Sequence, residues 1–254
     1  MSRYAIIADI HANLHALHAV LGRIATTDVD GIICLGDIVG YGPEPEKCLD
    51  LVNRHCDVVV LGNHDLAVLD PRYAEGFNSI AKIVLQWTRD AISPLHLDTL
   101  GRIREIEYVG DSITCVHDNP MPSPMTYIYD QQVASYAFRA VDTPICLVGH
   151  THVPMVFDAP SPNVEDHFTP QQIKAYLMRD GVEIMLEHGH RYICNPGSVG
   201  QPRDGDPRAS FALLDLERQS FSVQREAYDI AAAQLASQRM GLPVELSQRL
   251  AIGA

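Results

Sequence analysis

Five short clusters in this chain combine carboxylate, imidazole and amide side chains: Asp9-Ile10-His11, Gly36-Asp37, Gly62-Asn63-His64-Asp65, His117, and Gly149-His150-Thr151-His152. Asp, His and Asn donors without a thiolate suit borderline or moderately hard divalent ions such as manganese, iron or zinc. Asp9, His11, Asp37, Asn63, His117, His150 and His152 are seven donors. That is too many for one tetrahedral ion and enough for two ions sharing a carboxylate. Two cations about 3.5–4 Å apart can clamp the attacking and leaving oxygens of an in-line displacement, and water between them loses a proton near neutral pH. Any one of these histidines alone reads as structural. Five clusters together read as a hydrolytic metal site.

What must position them is legible from the flanking residues. Arg3 to Ala8, Gly31 to Leu35 and Val58 to Leu61 are short apolar runs that stop where a cluster begins, as buried strands do. Ser112 to His117 and Ile145 to Val148 behave the same way. Residues one apart, such as Asp9 and His11 or His150 and His152, are expected to point the same way at a strand end. Leu14, Leu17, His18 and Leu21 recur at helical spacing, and Pro45 to Val52 suits a second helix. Strands alternating with helices imply a parallel sheet, whose ligands gather beyond the carboxyl ends of the strands.

Beyond Asp65 the pattern changes. Phe77 to Ile92 carries Ile80, Ile83, Val84 and Trp87 on one helical face, ended by Ser93-Pro94, with Trp87 a packing residue. Ile103 to Val109, Val153 to Phe157, Val182 to Leu186, Tyr192 to Asn195, Phe211 to Leu216 and Phe221 to Val223 read as strands, and Tyr129 to Ala140 as a helix. Ala159 to Thr169 reads as an exposed excursion, and Gln171 to Met178 fits helix or strand equally. Ala227 to Arg239 is a helix broken by Gly241-Leu242-Pro243, with a last short helix after it. Without an internal repeat or linker, residues 1–254 are expected to form one domain, with a helical insertion at about 66–102 and C-terminal helices at about 227–252.

Composition narrows the partners. Hydrophobic residues make up 46% and charged residues 20% of 254, enough for a sizeable core. Nineteen basic against 32 acidic residues give a net charge of -13, the wrong sign for a nucleic-acid platform. Six cysteines without a CxxC pair fit small buried side chains in a reducing compartment. No apolar run reaches the roughly 18 residues of a membrane span, and the N-terminus lacks a signal-peptide pattern. The expectation is a cytoplasmic protein with a small-molecule partner. Its oligomeric state is open.

The ordered set DIH, GD, GNHD, a later His after a strand, and GHTH resembles the calcineurin-like metallophosphoesterase superfamily. Asn195 to Asp215, with the GYGPEP and WT stretches and the GLP tail, is similar to its small prokaryotic YfcE-like and diadenosine-tetraphosphatase-like members. The resemblance implies a four-layer αββα sandwich of two mixed β-sheets flanked by helices. It implies two divalent transition-metal ions, manganese ahead of iron, zinc or nickel. Asp9, His11 and His152 would hold one, Asn63, His117 and His150 the other, with Asp37 bridging. It also implies a phosphoesterase acting on a small phosphomonoester, phosphodiester or dinucleoside polyphosphate. A protein phosphatase and a non-catalytic scaffold, which the superfamily also includes, are the alternatives.

His64 is left free to protonate a leaving group, and Asp65 to orient its imidazole and favour the charged form; a helix N-cap is the other role for Asp65. Two positions depart from the resemblance: Ala12 and Asp118 stand where relatives carry glycine. Asp118 either tolerates a tight turn, touches a metal or repels an anionic substrate. Asn13, Tyr41, Arg203 and Arg208 are further candidate substrate contacts, the arginines because guanidinium suits phosphate, with internal salt bridges an equal reading. Ser198 reads as a turn former, and His188 and His190 as a solvated hairpin.

Overall fold

The computed structural model describes residues 3–121, 127–161 and 168–254. In the first half β1 (Arg3–Ile7), α1 (Leu14–Ile24), β2 (Gly31–Cys34), α2 (Pro45–His55), β3 (Val58–Val59) and α3 (Asn63–Leu69) alternate, followed by α4 (Ser79–Ala91) and α5 (Pro94–Leu100). Next come β4 (Ile106–Val109), β5 (Ile113–Val116), α6 (Gln131–Arg139), β6 (Ile145–Leu147), β7 (Met155–Pro160) and β8 (Lys174–Leu177). The chain then adds β9 (Glu183–Met185), β10 (His190–Asn195), β11 (Ala209–Asp215), β12 (Ser220–Glu226), α7 (Ile230–Arg239) and α8 (Val244–Arg249).

These strands form two mixed sheets, in the orders β3-β2-β1-β11-β12-β9 and β4-β5-β6-β10-β7-β8. Alternation along the strands builds the layers. Ile6, Ile33 and Leu214 of the first sheet meet Ile113, Leu147 and Cys194 of the second in a shared core. The opposite faces bury Ala5, Ile7 and Phe211 against α1 and α2, and Cys146, Phe157 and Ile193 against Phe138 of α6. Each fully buried Ile, Leu or Phe among them contributes about 1.5–3 kcal/mol. The αββα sandwich follows from these three interfaces.

β1, β2 and β3 run parallel in one sheet and β5, β6 and β10 in the other. The five polar clusters follow the carboxyl ends of β1, β2, β3, β5 and β6, at one end of the sandwich. β3 is shorter than its apolar run, because the chain must leave the sheet to enter α3 at Asn63; Val60 keeps only a bridge to Arg104. Gln171 to Met178 resolves into a 3-10 turn at Pro170–Gln172 and the edge strand β8. β7 continues through Ala159 and Pro160, so the excursion begins later than expected, and most of it (162–167) lies outside the described residues. His188 stands exposed in a turn, as expected, whereas His190 opens β10 and sets its Nδ1 2.6 Å from Asp158 across the sheet, a partner that local sequence does not show. Leu242 and Leu246 pack with Val84 of α4, beside Tyr41 and Trp87. The C-terminal helices thus brace the loop after β2. Among the described residues no helix is long and apolar enough to cross a membrane.

Candidate metal centre and active site

The backbone at the strand ends is unusual before any side chain is considered. Asp9, His11, Ala12, Asp37, Tyr41, His150 and His152 all have φ between 49° and 66°; the one other non-glycine residue there among those described is Gln219. Each non-glycine residue in this left-handed region costs about 1–2 kcal/mol, so the fold must hold it there. Main-chain bonds do: Asp9 donates to Gly36, His11 to Asp37 and Ala12 to Ile38 at 2.8–3.0 Å. Asp9 and His11 therefore meet through a left-handed loop that follows β1, and not through strand alternation. Ala12, with φ 51°, occupies the kind of position glycine favours. Asp118 has no such strain; its Oδ1 accepts from the N–H of Asn119 at 2.5 Å. Gly62 serves close approach, since a Cβ there would lie 2.0 Å from Asp37 Oδ1.

On this backbone the donors converge into two buried groups: Asp9, His11, Asp37 and His152 in one, Asp37, His117 and His150 in the other. Asp37 is common to both. Asn63 joins the second, its Oδ1 3.1 Å from His117 Nε2. His11 Nε2 and His152 Nε2 face each other at 3.0 Å, and His152 Nε2 is 3.4 Å from Asp9 Oδ1. His117 Nε2 is 3.3 Å from Asp37 Oδ2. Main-chain carbonyls fix the tautomers: Nδ1 of His11, His117 and His152 lies 3.3, 2.7 and 2.6 Å from the oxygens of Val39, Leu35 and Gln201. These rings therefore turn Nε2 inward, as the atom that would meet a cation.

The charges fit cations. Asp9 and Asp37 are fully buried, and no Lys or Arg ion pair reaches either among the described residues. Burial pushes Asp9 up to about 7 against the pull of His117. For Asp37 burial acts upward too, but attraction to His117 and His64 wins and holds the carboxyl well below its usual range. Burial would depress His117, yet Asp37 and Asp9 drive it up to about 10. Burial drives His11 and His152 well below the usual imidazole range and His150 down to about 3, leaving neutral ligands. Buried carboxylates need compensating charge, which a bound cation would supply.

The calcineurin-like phosphoesterase superfamily domain matches residues 3–219. The chain belongs to that superfamily. A metallophosphoesterase structure from Sphaerobacter thermophilus superposes with a TM-score of 0.85 at 40% identity, covering 100% of this chain and 99% of that one. An uncharacterised protein of Methanocaldococcus jannaschii is 36% identical over 99% of this chain and 98% of its own. A symmetrical bis(5'-nucleosyl)-tetraphosphatase of Neisseria meningitidis is 42% identical over 79 residues, 30% of this chain and 28% of its own. The protein is thus a metal-dependent phosphoric ester hydrolase by family.

Around these donor groups of the phosphoesterase the other candidates separate. His64 is buried among rings, with centroids 4.4 Å from Tyr41, 4.6 Å from Phe77 and 4.9 Å from His11. Burial pulls it down to about 4. Asp65 does not steady it. Its oxygens accept from the N–H groups of Gly62, Ile38 and Val39 at 3.0–3.2 Å, tying the start of α3 to the loop that carries Asp37. Asp65 is not itself the N-cap, which is Gly62, but the third residue of α3, whose carboxylate reaches back to the N-cap N–H; that role replaces the orienting one, because a helix-start carboxylate is drawn to free main-chain donors. Asp65→Ala strands three buried donors, each worth about 1–3 kcal/mol, so urea unfolding should show a loss of about 3 kcal/mol or more. A variant of full stability with impaired turnover would restore the orienting role.

Asn13 also proves structural: its Oδ1 caps α1 at Ala16 N–H, and its amide donates to Gly200 O at 2.8 Å. Arg208 is taken by Asp206 and Asp180, the salt-bridge outcome. Arg203 differs. Its main-chain N–H donates to His152 O, its guanidinium lies over Tyr41 (5.9 Å), one terminal nitrogen holds Gln201, and buried Nε has no partner among the described residues. Asp118 lies beside Asn63 and His117 in a groove of about 710 Å³. Ser198 donates to Asp9 O and accepts from Gln201 N–H. Gln201, Asn195 and Tyr127 were not singled out by sequence. Asn195 binds Gly149 O and Thr151, bracing GHTH, and ends β10, a strand-end position like those of the other polar clusters.

Proposed function

We propose that this phosphoesterase hydrolyses a small phosphorylated compound, a phosphomonoester, phosphodiester or dinucleoside polyphosphate, with two divalent ions. The observation that carries this is the pair of buried carboxylates facing imidazoles locked with Nε2 inward. Asp9, His11 and His152 would hold one ion and Asn63, His117 and His150 the other, with Asp37 shared. When bound, the ions supply Lewis-acid polarisation of the phosphoryl oxygens and a nucleophile at neutral pH. Manganese stands ahead of iron, zinc or nickel on the family resemblance, and the mixed oxygen and imidazole donors suit any of the four.

The protein's own groups do the rest. Arg203, anchored at His152 and Gln201 with no carboxylate ion pair among the described residues, is placed to receive phosphoryl oxygens. His64 protonates the leaving oxygen. The tetraphosphatase relative of Neisseria meningitidis lends weight to dinucleoside polyphosphates within the class. Six unpaired cysteines favour a cytoplasmic setting.

The test is a manganese-supplemented panel of monoesters, diesters, dinucleoside polyphosphates and a phosphoserine peptide, run with and without chelator. Chelator-sensitive turnover of a small ester or polyphosphate is expected. Peptide turnover alone would move the reading to a protein phosphatase. Full metal loading with no turnover on any member would move it to a scaffold.

A further inference from the structure

Three of the four clustered histidines have a ring nitrogen at a main-chain carbonyl; His150 does not. Its main-chain N–H is held by Asp9 at 3.1 Å, but buried Nε2 has no hydrogen-bond partner among the described residues. The His117 ring meets the imidazole edge-on at 5.2 Å, and the Tyr127 ring lies flat against its face, with centroids 4.1 Å apart and planes within 6°. Tyr127 is itself held. Ile128 is buried in the core cluster with Phe138, Tyr129 N–H donates to Tyr127 O at 3.2 Å across a tight turn, and the Tyr129 ring stacks on Tyr127 at 5.4 Å.

We propose that Tyr127 is a positioning residue for the metal centre. Its ring face fixes the His150 imidazole, as carbonyls fix His11, His117 and His152, and thereby sets the affinity of the metal position that His150 serves. The inference rests on the reading of His150 as a ligand. A free imidazole rotates about its side-chain bonds, and a metal captures it only after that freedom is lost. Outer partners of ligating histidines typically govern metal affinity by about 10- to 100-fold. Tyr127 is 42% exposed, so its replacement does not open the core.

The test titrates chelator into the manganese-loaded full chain and follows bound metal together with the paramagnetic resonance of the coupled ion pair. Tyr127→Leu should surrender one ion at about 10- to 100-fold lower chelator activity and lose the pair signal, while the ion at His11 and His152 stays. Tyr127→Phe, which keeps the ring face, should match the parent. Wild-type retention in Tyr127→Leu overturns the proposal. So does equal loss in Tyr127→Phe, which would assign the effect to the hydroxyl, or loss of both ions from Tyr127→Leu. His150→Ala separates the premise: if it keeps both ions, His150 is no ligand. If it loses one ion while Tyr127→Leu keeps both, only the positioning role falls.

Discussion

Replacing Asp37 by Asn is expected to leave this phosphoesterase with at most one bound divalent ion and to lower turnover by about 10³-fold or more, roughly 4 kcal/mol of barrier. Asp37 is the one side chain shared by both donor groups. Its Oδ2 lies 3.5 Å from His11 Nε2 and 3.3 Å from His117 Nε2, so the carboxylate spans the centre. The substitution is conservative in shape. Oδ1 accepts the N–H of His64 at 2.8 Å, and an amide oxygen can keep that bond and the start of α3. What disappears is the negative charge, which attraction to His117 and His64 keeps in place despite burial. Elemental analysis after gel filtration, with kcat on a diester, reads both quantities. Two retained ions and turnover within tenfold of the parent would show that Asp37 does not bridge.

The donors themselves were legible because each follows an apolar run too short for a helix, where a strand must end and polar side chains must emerge. The sandwich was less so. The alternation at Ala5-Ile6-Ile7 shows two buried faces, but not that one meets a second sheet. The backbone that brings Asp9 and His11 together was hidden, since left-handed residues leave a signature only when they are glycine, and here seven site residues are not. The oxygens of Leu35, Val39 and Gln201 were hidden for a deeper reason: a main-chain carbonyl is the same at every position.

Ambiguity of another kind befell Asn13, Asp65 and Arg208. Each carries a group suited to chemistry, and each is captured by a nearby structural demand: the cap of α1, the donors at the start of α3, and the carboxylates of Asp206 and Asp180. Arg203, five residues before Arg208, escapes because its carboxylate neighbour Asp204 is bound to Arg225.

The second large effect is expected at His64. Replacement by Ala should leave the metal content unchanged, because the ring is outside both donor groups and is held by Tyr41, Phe77 and His11. Turnover of an alkyl ester should fall by about 10²- to 10⁴-fold, the usual contribution of a positioned acid. An activated aryl ester, whose leaving group departs without a proton, should slow far less. The sign of the pH dependence follows from the site. In the free protein burial draws His64 down to about 4, against Asp37 and with Arg203 and His117 adding to the depression. The imidazole therefore enters neutral near pH 7, and a bound phosphate's negative charge must raise its affinity for a proton. Because the acid form is the working one, alkyl-ester turnover should decline as pH rises through the pKa of the complex, and His64→Ala should abolish that limb. Equal slowing of both esters, with the limb intact, would assign proton delivery to another group.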